Sequence, residues 1–288
     1  MKRILITGGK GQLATCIKDL ITDLVEYHFI FVDYDELDIT KKEEVSAFFE
    51  MEAIDYCINC AAYTAVDKAE TEFELAHAIN VDGARNLAEA CVKHGVKMVH
   101  ISTDFVFDGN KTALYTEEDI THPLSVYGKT KLDGEAVIEA NLRQYYIIRT
   151  SWLYSEHGNN FMKTMLKLGA EREQMGVVCD QIGTPTYAGD LAKFILEVIK
   201  NNTDKYGTYH YSNEGVASWY DFARAIFDLG EVQCDLMPIK TEAYPTPAKR
   251  PAFSVMDKTK IKKAFNIEIP YWRDSLIQVI NKTLHKQL

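Results

Sequence analysis

A doubly wound α/β fold is predicted: a parallel sheet with helices on both faces, followed by a smaller C-terminal lobe. Three features carry this. Apolar runs alternate with helix-periodic stretches over residues 1–150, a glycine-rich turn directly follows the first apolar run, and the rhythm changes after about residue 151. Strands that read as continuous apolar runs separated by helices indicate a parallel sheet covered on both sides.

In chain order, KRILIT (2–7) reads as the first strand and 11–25 as a helix. HFIFVD (28–33) is a strand, 41–51 a helix and DYCINC (55–60) a third strand. A long helix is predicted over 72–94 from the spacing of Leu75, Ile79, Leu87, Ala90 and Cys91. KMVHIS (97–102) and YYIIRT (145–150) are the fourth and fifth strands. Beyond them come a helix at 159–171, a short strand GVVCD, a helix near 188–200 and a strand TYHYS. Helices near 218–229 and 271–286 flank the Pro-rich loop AYPTPAKRP. The expected division is a Rossmann-type dinucleotide-binding domain over 1–152, with segments returning near 182–212, and a substrate lobe making up most of 153–288. A cleft between sheet edge and lobe is the expected ligand site.

A chain of 288 residues, 47% hydrophobic, can bury a sizeable core. Its net charge of −10, with no Lys/Arg cluster, argues against nucleic acid as a partner. Ile4-Leu5-Ile6 is too short for a signal-peptide core, and no run approaches the ~18 apolar residues of a membrane span. A soluble, cytoplasmic protein is expected, with no membrane partner. Cys57-Ile58-Asn59-Cys60 spells C-x-x-C, but it lies inside an apolar strand and lacks a second pair. Packing cysteines are therefore expected, not a redox or zinc site. No metal ligand set is found.

The first strand runs into Thr7-Gly8-Gly9-Lys10-Gly11-Gln12-Leu13-Ala14. Glycines allow a sharp turn and close approach to a pyrophosphate, whose charge then faces a helix N-terminus. Spacing alone would also suit a plain tight turn. Strand, loop and helix together, with Asp33 closing the second strand, favour a dinucleotide. Asp33 can accept from a ribose 2′-hydroxyl, and Asp35 and Glu36 would repel a 2′-phosphate, whereas Lys10 would attract one. The balance tilts to NADH, with NADPH left open.

In VYGKTKLDGEAV (126–137), Tyr127 and Lys131 share one helix face a turn apart. A phenol titrates near ~10, and a neighbouring ammonium favours its phenolate. Bringing it to ~7 takes roughly 4 kcal/mol, so a second cation or a dry site should help. The plain alternative is a surface i,i+4 ion pair beside a helix cap. The fourth strand ends in Ser102-Thr103-Asp104, at the sheet's carboxyl edge.

Together these positions resemble the extended short-chain dehydrogenase/reductase superfamily, where a Ser/Thr after the fourth strand joins a Tyr-x-x-x-Lys pair. By motif position that hydroxyl is Thr103, with Ser102 in reserve. AAYTAVDKAE (61–70), STDFVFDG (102–109), VYGKTKLDGE (126–135), RTSWLY (149–154), GNNFMKTML (158–166) and YPTPAKRP (244–251) resemble the dTDP-4-dehydrorhamnose reductase family. The resemblance implies NAD(P)H-dependent reduction of a dTDP-linked 4-keto-6-deoxy sugar to dTDP-L-rhamnose. Thr103, Tyr127 and Lys131 would be catalytic. Gly8, Lys10, Gly11, Gln12, Leu13, Asp33, Asp38, Ile39, Ala61, Ala62 and Thr64 would join Tyr127 and Lys131 around the cofactor. Thr103, Asp104, Phe105, Trp152 and Arg250 would meet the dTDP-sugar, with Arg250 on its diphosphate; the plainer readings are a turn cap for Asp104, a core aromatic for Trp152 and a surface salt bridge for Arg250. Asn80 reads as a backbone brace, and Gln181 and Thr186 border a substrate loop. Oligomeric state is left open, a homodimer included.

Two alternatives remain at this level. One is another nucleotide-sugar reductase or epimerase of the extended family. The other is a non-catalytic subunit resembling the regulatory subunit of methionine adenosyltransferase, which shares a YGKTK-like stretch; the Trp152 and YPTPAKRP blocks, which look like a working sugar-nucleotide site, point away from it.

Overall fold

The computed structural model describes residues 1–22 and 24–285. Its main sheet has six parallel strands. β1 (Lys2–Thr7), β2 (Tyr27–Phe31), β3 (Tyr56–Asn59), β4 (Lys97–Thr103) and β5 (Tyr145–Thr150) are joined by a sixth, Gly207–His210. From that sixth strand inward the order is β5, β4, β3, β1, β2. This is the doubly wound sheet expected from the sequence.

β1 shows why its strands read as unbroken apolar runs. Ile4 and Ile6 pack into one helical layer and Leu5 into the other, all three without exposed surface. Side chains alternate faces along a strand, so a strand covered on both sides needs no polar positions. Each such burial contributes about 1.5–3 kcal/mol. The helix α1 (Gln12–Leu20) packs on one face against the helix Ala188–Asn201. β1 lies between β2 and β3, so the connections leaving β1 and β3 part at the sheet's carboxyl edge and open a crevice there. A separate apolar cluster, including Met162, Phe222, Ile226, Trp272 and Leu276, forms in the later part of the chain.

Four features differ from the sequence reading. α1 stops at Leu20, short of the expected residue 25. The helix expected over 72–94 is interrupted by a π-turn at Ala78–Asp82. Such an insertion reorients one side chain without ending a helix. Here Asn80 turns inward, its Oδ1 accepting the Tyr63 N–H at 2.9 Å while its Nδ2 donates to Thr130 Oγ1 at 3.1 Å. The brace ties the segment after β3 to the helix Val126–Asn141. Asn80→Ala is expected to cost about 2 kcal/mol, read as a lower urea midpoint with unchanged slope.

The third is an unpredicted strand, Asp235–Ile239, which pairs in parallel with Gln174–Val178. Its Pro238 is tolerated because the pairing is one-sided. Fourth, the helix Thr259–Phe265, absent from the sequence reading, brings Ile261 into the core of the main sheet.

Candidate active site

The glycine turn is shaped by sterics. Gly8 has φ +64, and a Cβ there would lie 2.8 Å from Ala61 N. Only glycine lets the loops after β1 and β3 approach this closely. Gly11 N–H donates to Gly8 O at 2.9 Å, closing the turn before α1. Lys10 N–H donates to Asp33 Oδ2 at 2.8 Å, so Asp33 sits directly against the loop. The Lys10 ammonium lies 2.7 Å from Asp35 Oδ2, which pushes the lysine's pKa up. Asp38 accepts the Thr40 N–H and hydroxyl, at 3.0 and 2.7 Å, and shapes the turn carrying Ile39. Gln12 Nε2 reaches Leu153 O at 3.2 Å.

The catalytic candidates come from β4 and the helix Val126–Asn141. Ser125 caps that helix, its Oγ accepting the Gly128 N–H at 3.2 Å. Any side chain at Gly128 would collide with Phe105 O, so the helix start is pressed against the chain leaving β4. Ser102 is committed elsewhere. Its hydroxyl donates to Glu135 Oε1, and Glu135 pairs with Arg149 through Nε and Nη2, the latter at 2.7 Å. Thr103 is therefore the hydroxyl left for the crevice. Its Oγ1 accepts the Phe105 N–H at 3.2 Å.

Lys131 is 2% exposed, which rules out a surface ion pair. Its ammonium donates to Ile101 O at 2.6 Å and faces His100 Nε2 at 3.4 Å. Burial lowers its pKa to about 8, opposed by Glu135 and Cys60. The expectation that Lys131 lowers the Tyr127 pKa is not what the structure shows. Burial raises the phenol to about 12, with the Thr103 hydroxyl pulling the other way. Desolvation outweighs attraction because the ammonium is directed at the strand, not at the phenol.

Asp104 is buried; Thr103 Oγ1 donates to its Oδ1 at 3.1 Å, and Oδ2 has no partner. Burial pushes its carboxyl up to about 6, against the hydroxyls of Ser254 and Thr103. Phe105 meets Tyr127 edge-on, centroids 5.7 Å apart. Trp152 holds φ +46, a left-handed conformation that is costly for an indole-bearing residue. It is retained over Gly183, where a Cβ would lie 2.6 Å from the ring, and it stacks on Trp219 with centroids 3.6 Å apart. Arg250 is engaged by Asp67, its Nη2 2.8 Å from Oδ2 and Nη1 3.0 Å from Oδ1.

All the residues nominated from sequence as catalytic, cofactor-binding or substrate-binding line one cavity of about 1040 Å³. Asn80 braces its wall, whereas Gln181 and Thr186 lie outside its lining. Trp219 and Phe161 also line it and escaped the sequence reading. Trp219 opens a helix behind a Ser218–Asp221 capping box, so its local signal is that of a helix start. The glycine cradle fits a dinucleotide, because its Cβ-intolerant turn leaves backbone free to approach a pyrophosphate.

The chain matches a family described as "RmlD substrate binding domain" over residues 1–285. A dTDP-4-dehydrorhamnose reductase of Aggregatibacter actinomycetemcomitans is 46% identical over 286 residues, covering 96% of this chain and 97% of that protein. The chain belongs to the dTDP-4-dehydrorhamnose reductase family. Within the family, the crystal structure of a Clostridium acetobutylicum reductase is 43% identical with TM-score 0.95, covering 98% of this chain and 99% of that one. A Bacillus anthracis reductase solved in complex with NADP is 40% identical with TM-score 0.94, covering 98% and 100%. The family expected from the sequence motifs is thus the one found, and its members are oxidoreductases. Among the described residues, no helix is long and apolar enough to cross a membrane.

Proposed function

We propose that the protein reduces dTDP-4-dehydro-6-deoxy-L-mannose to dTDP-L-rhamnose, with NADH or NADPH as reductant. The carrying observation is that Thr103, Tyr127 and Lys131 meet in the cavity that begins at the glycine cradle. Bound reduced nicotinamide supplies a hydride. Tyr127 and Thr103, whose hydroxyl turns from Asp104 Oδ1, hydrogen-bond the substrate's 4-keto oxygen as it gains charge. Tyr127, protonated at neutral pH, delivers the proton to that oxygen. The Lys131 ammonium stabilises the phenolate left behind. Phe105 and the Trp152–Trp219 stack wall the sugar, Asp104 Oδ2 accepts from a sugar hydroxyl, and Arg250 exchanges Asp67 for the diphosphate. The loops bearing Asp38, Ile39, Ala61, Ala62 and Thr64 flank the cofactor. Residues 1–152 form the dinucleotide domain and most of 153–288 the substrate lobe. Six free cysteines suit a reducing compartment such as the cytoplasm.

The test is loss of reduced-cofactor absorbance with the purified protein and this sugar nucleotide. No turnover with either cofactor, despite cofactor binding, would sink the reading.

NADH is the preferred reductant in this reading, because Asp35 holds the Lys10 ammonium away from a 2′-phosphate. Asp35→Asn is expected to move the NADPH/NADH ratio of kcat/KM about tenfold toward NADPH, roughly 1.4 kcal/mol. An unchanged ratio would remove Lys10 from cofactor choice.

A further inference from the structure

A line of buried polar groups runs under the catalytic lysine. His100, on β4, faces Lys131 Nζ through Nε2 at 3.4 Å and Asn59 Nδ2 through Nδ1 at 3.0 Å. Thr7 Oγ1 donates to Asn59 Oδ1 at 2.7 Å, and Ala61 N–H donates to Thr7 Oγ1 at 3.4 Å. Thr7, Asn59 and His100 are each 1% exposed. Thr7 immediately precedes the glycine cradle and Ala61 follows β3, so the line ends where the cofactor loops begin.

The hydrogens have to be assigned consistently. With the Asn59 amide donating to Nδ1, a neutral imidazole carries its proton on Nε2, and that N–H faces an ammonium with no lone pair. A half-turn of the amide removes the conflict. Asn59 Oδ1 then accepts Nδ1–H, Nδ2 donates to Thr7 Oγ1, and the Nε2 lone pair is free for the ammonium. Burial and the adjacent Lys131 both favour the neutral imidazole, pushing the His100 pKa well below its ordinary value.

We propose that His100 is a positioning residue for the proposed reduction: as a neutral Nδ1–H imidazole it accepts the Lys131 ammonium on Nε2 and, through Asn59 and Thr7, ties the lysine to the roots of both cofactor loops. The inference rests on the reading of the site as a reductase. The other groups around the ammonium are Tyr127 and Glu135 on its own helix, Cys60 after β3, and the Ile101 carbonyl on β4. Glu135 is already held by Arg149 from β5. His100 is thus the uncharged side-chain acceptor that, beside the Ile101 carbonyl, can favour the ammonium without adding a charge of its own.

His100→Leu removes the acceptor and is expected to shift the alkaline limb of kcat down by roughly one pH unit, with His100→Gln, whose carbonyl reaches the Nε2 position, restoring it. A folded Leu variant with its limb in place, or a Gln variant no better than Leu, would overturn the proposal. Imidazole nitrogen NMR on the unmodified protein decides the matter even if the Leu variant does not fold. At about pH 7 the expected His100 signature is a neutral ring protonated on Nδ1. An Nε2–H ring or an imidazolium would overturn it. Neither NMR outcome depends on turnover, so failure of the reductase reading is recognised separately, by an inactive parent protein.

Discussion

Tyr127→Phe is expected to lower kcat by about 10²–10⁴-fold while leaving cofactor affinity nearly unchanged. The substitution deletes one hydroxyl and keeps the ring that packs edge-on against Phe105. Fold and cavity shape should persist, so the loss falls on the proton transfer. Thr103 would remain as a donor to the keto oxygen, which sets the residual rate. The accompanying pH profile of the parent protein distinguishes the two partners. The phenol is held at about 12 and so stays protonated throughout the usual range. Lys131, lowered from 10.5 to about 8, is an ammonium below that value and loses its charge above it. The turnover number is therefore expected to fall as pH rises through about 8. A limb near the ordinary phenol value of ~10 would show instead that Tyr127 itself is titrating.

Arg149→Met is expected to destabilise the protein by about 3–5 kcal/mol, because it strands a buried carboxylate. Glu135 is 2% exposed and receives bonds from both Arg149 Nε and Nη2 as well as from Ser102. With the guanidinium gone, the Ser102 hydroxyl is the one hydrogen bond left to that carboxylate among those described. Urea unfolding measures the loss, and Glu135→Leu combined with Arg149→Met should recover most of it. The pair also clamps the helix Val126–Asn141 to β5, one turn beyond Lys131. An unbalanced Glu135 would favour the lysine ammonium, so the surviving activity of Arg149→Met should have its alkaline limb moved upward. A stability loss below about 1 kcal/mol would mean the pair is replaceable by solvent.

Much of this molecule is local in origin. The run Ile4-Leu5-Ile6, the Gly8–Gly11 turn and the Tyr127/Lys131 spacing depend only on neighbours in the chain, and each was legible. Strand boundaries in the main sheet were read to within a few residues because both-face burial leaves an uninterrupted apolar signature. The strand Asp235–Ile239 was not, since only its partner Gln174–Val178 gives it a ladder. The π-turn at Asn80 was equally hidden, because its cause is Tyr63 and Thr130, distant in sequence.

The site divides along the same line. Sequence by itself determined the fold class, the cofactor cradle and the family, through motifs whose chemistry is short-range. Tertiary structure decided what those residues experience. It assigned Ser102 to Glu135 and left Thr103 lining the crevice, stacked Trp219 on Trp152, and engaged Arg250 with Asp67. It also reversed the expected phenol shift, since burial is a property of the packed surroundings and no spacing of Tyr127 and Lys131 encodes it. Charge and desolvation act through space, so their balance is set only when segments far apart in the chain have closed around the same few atoms.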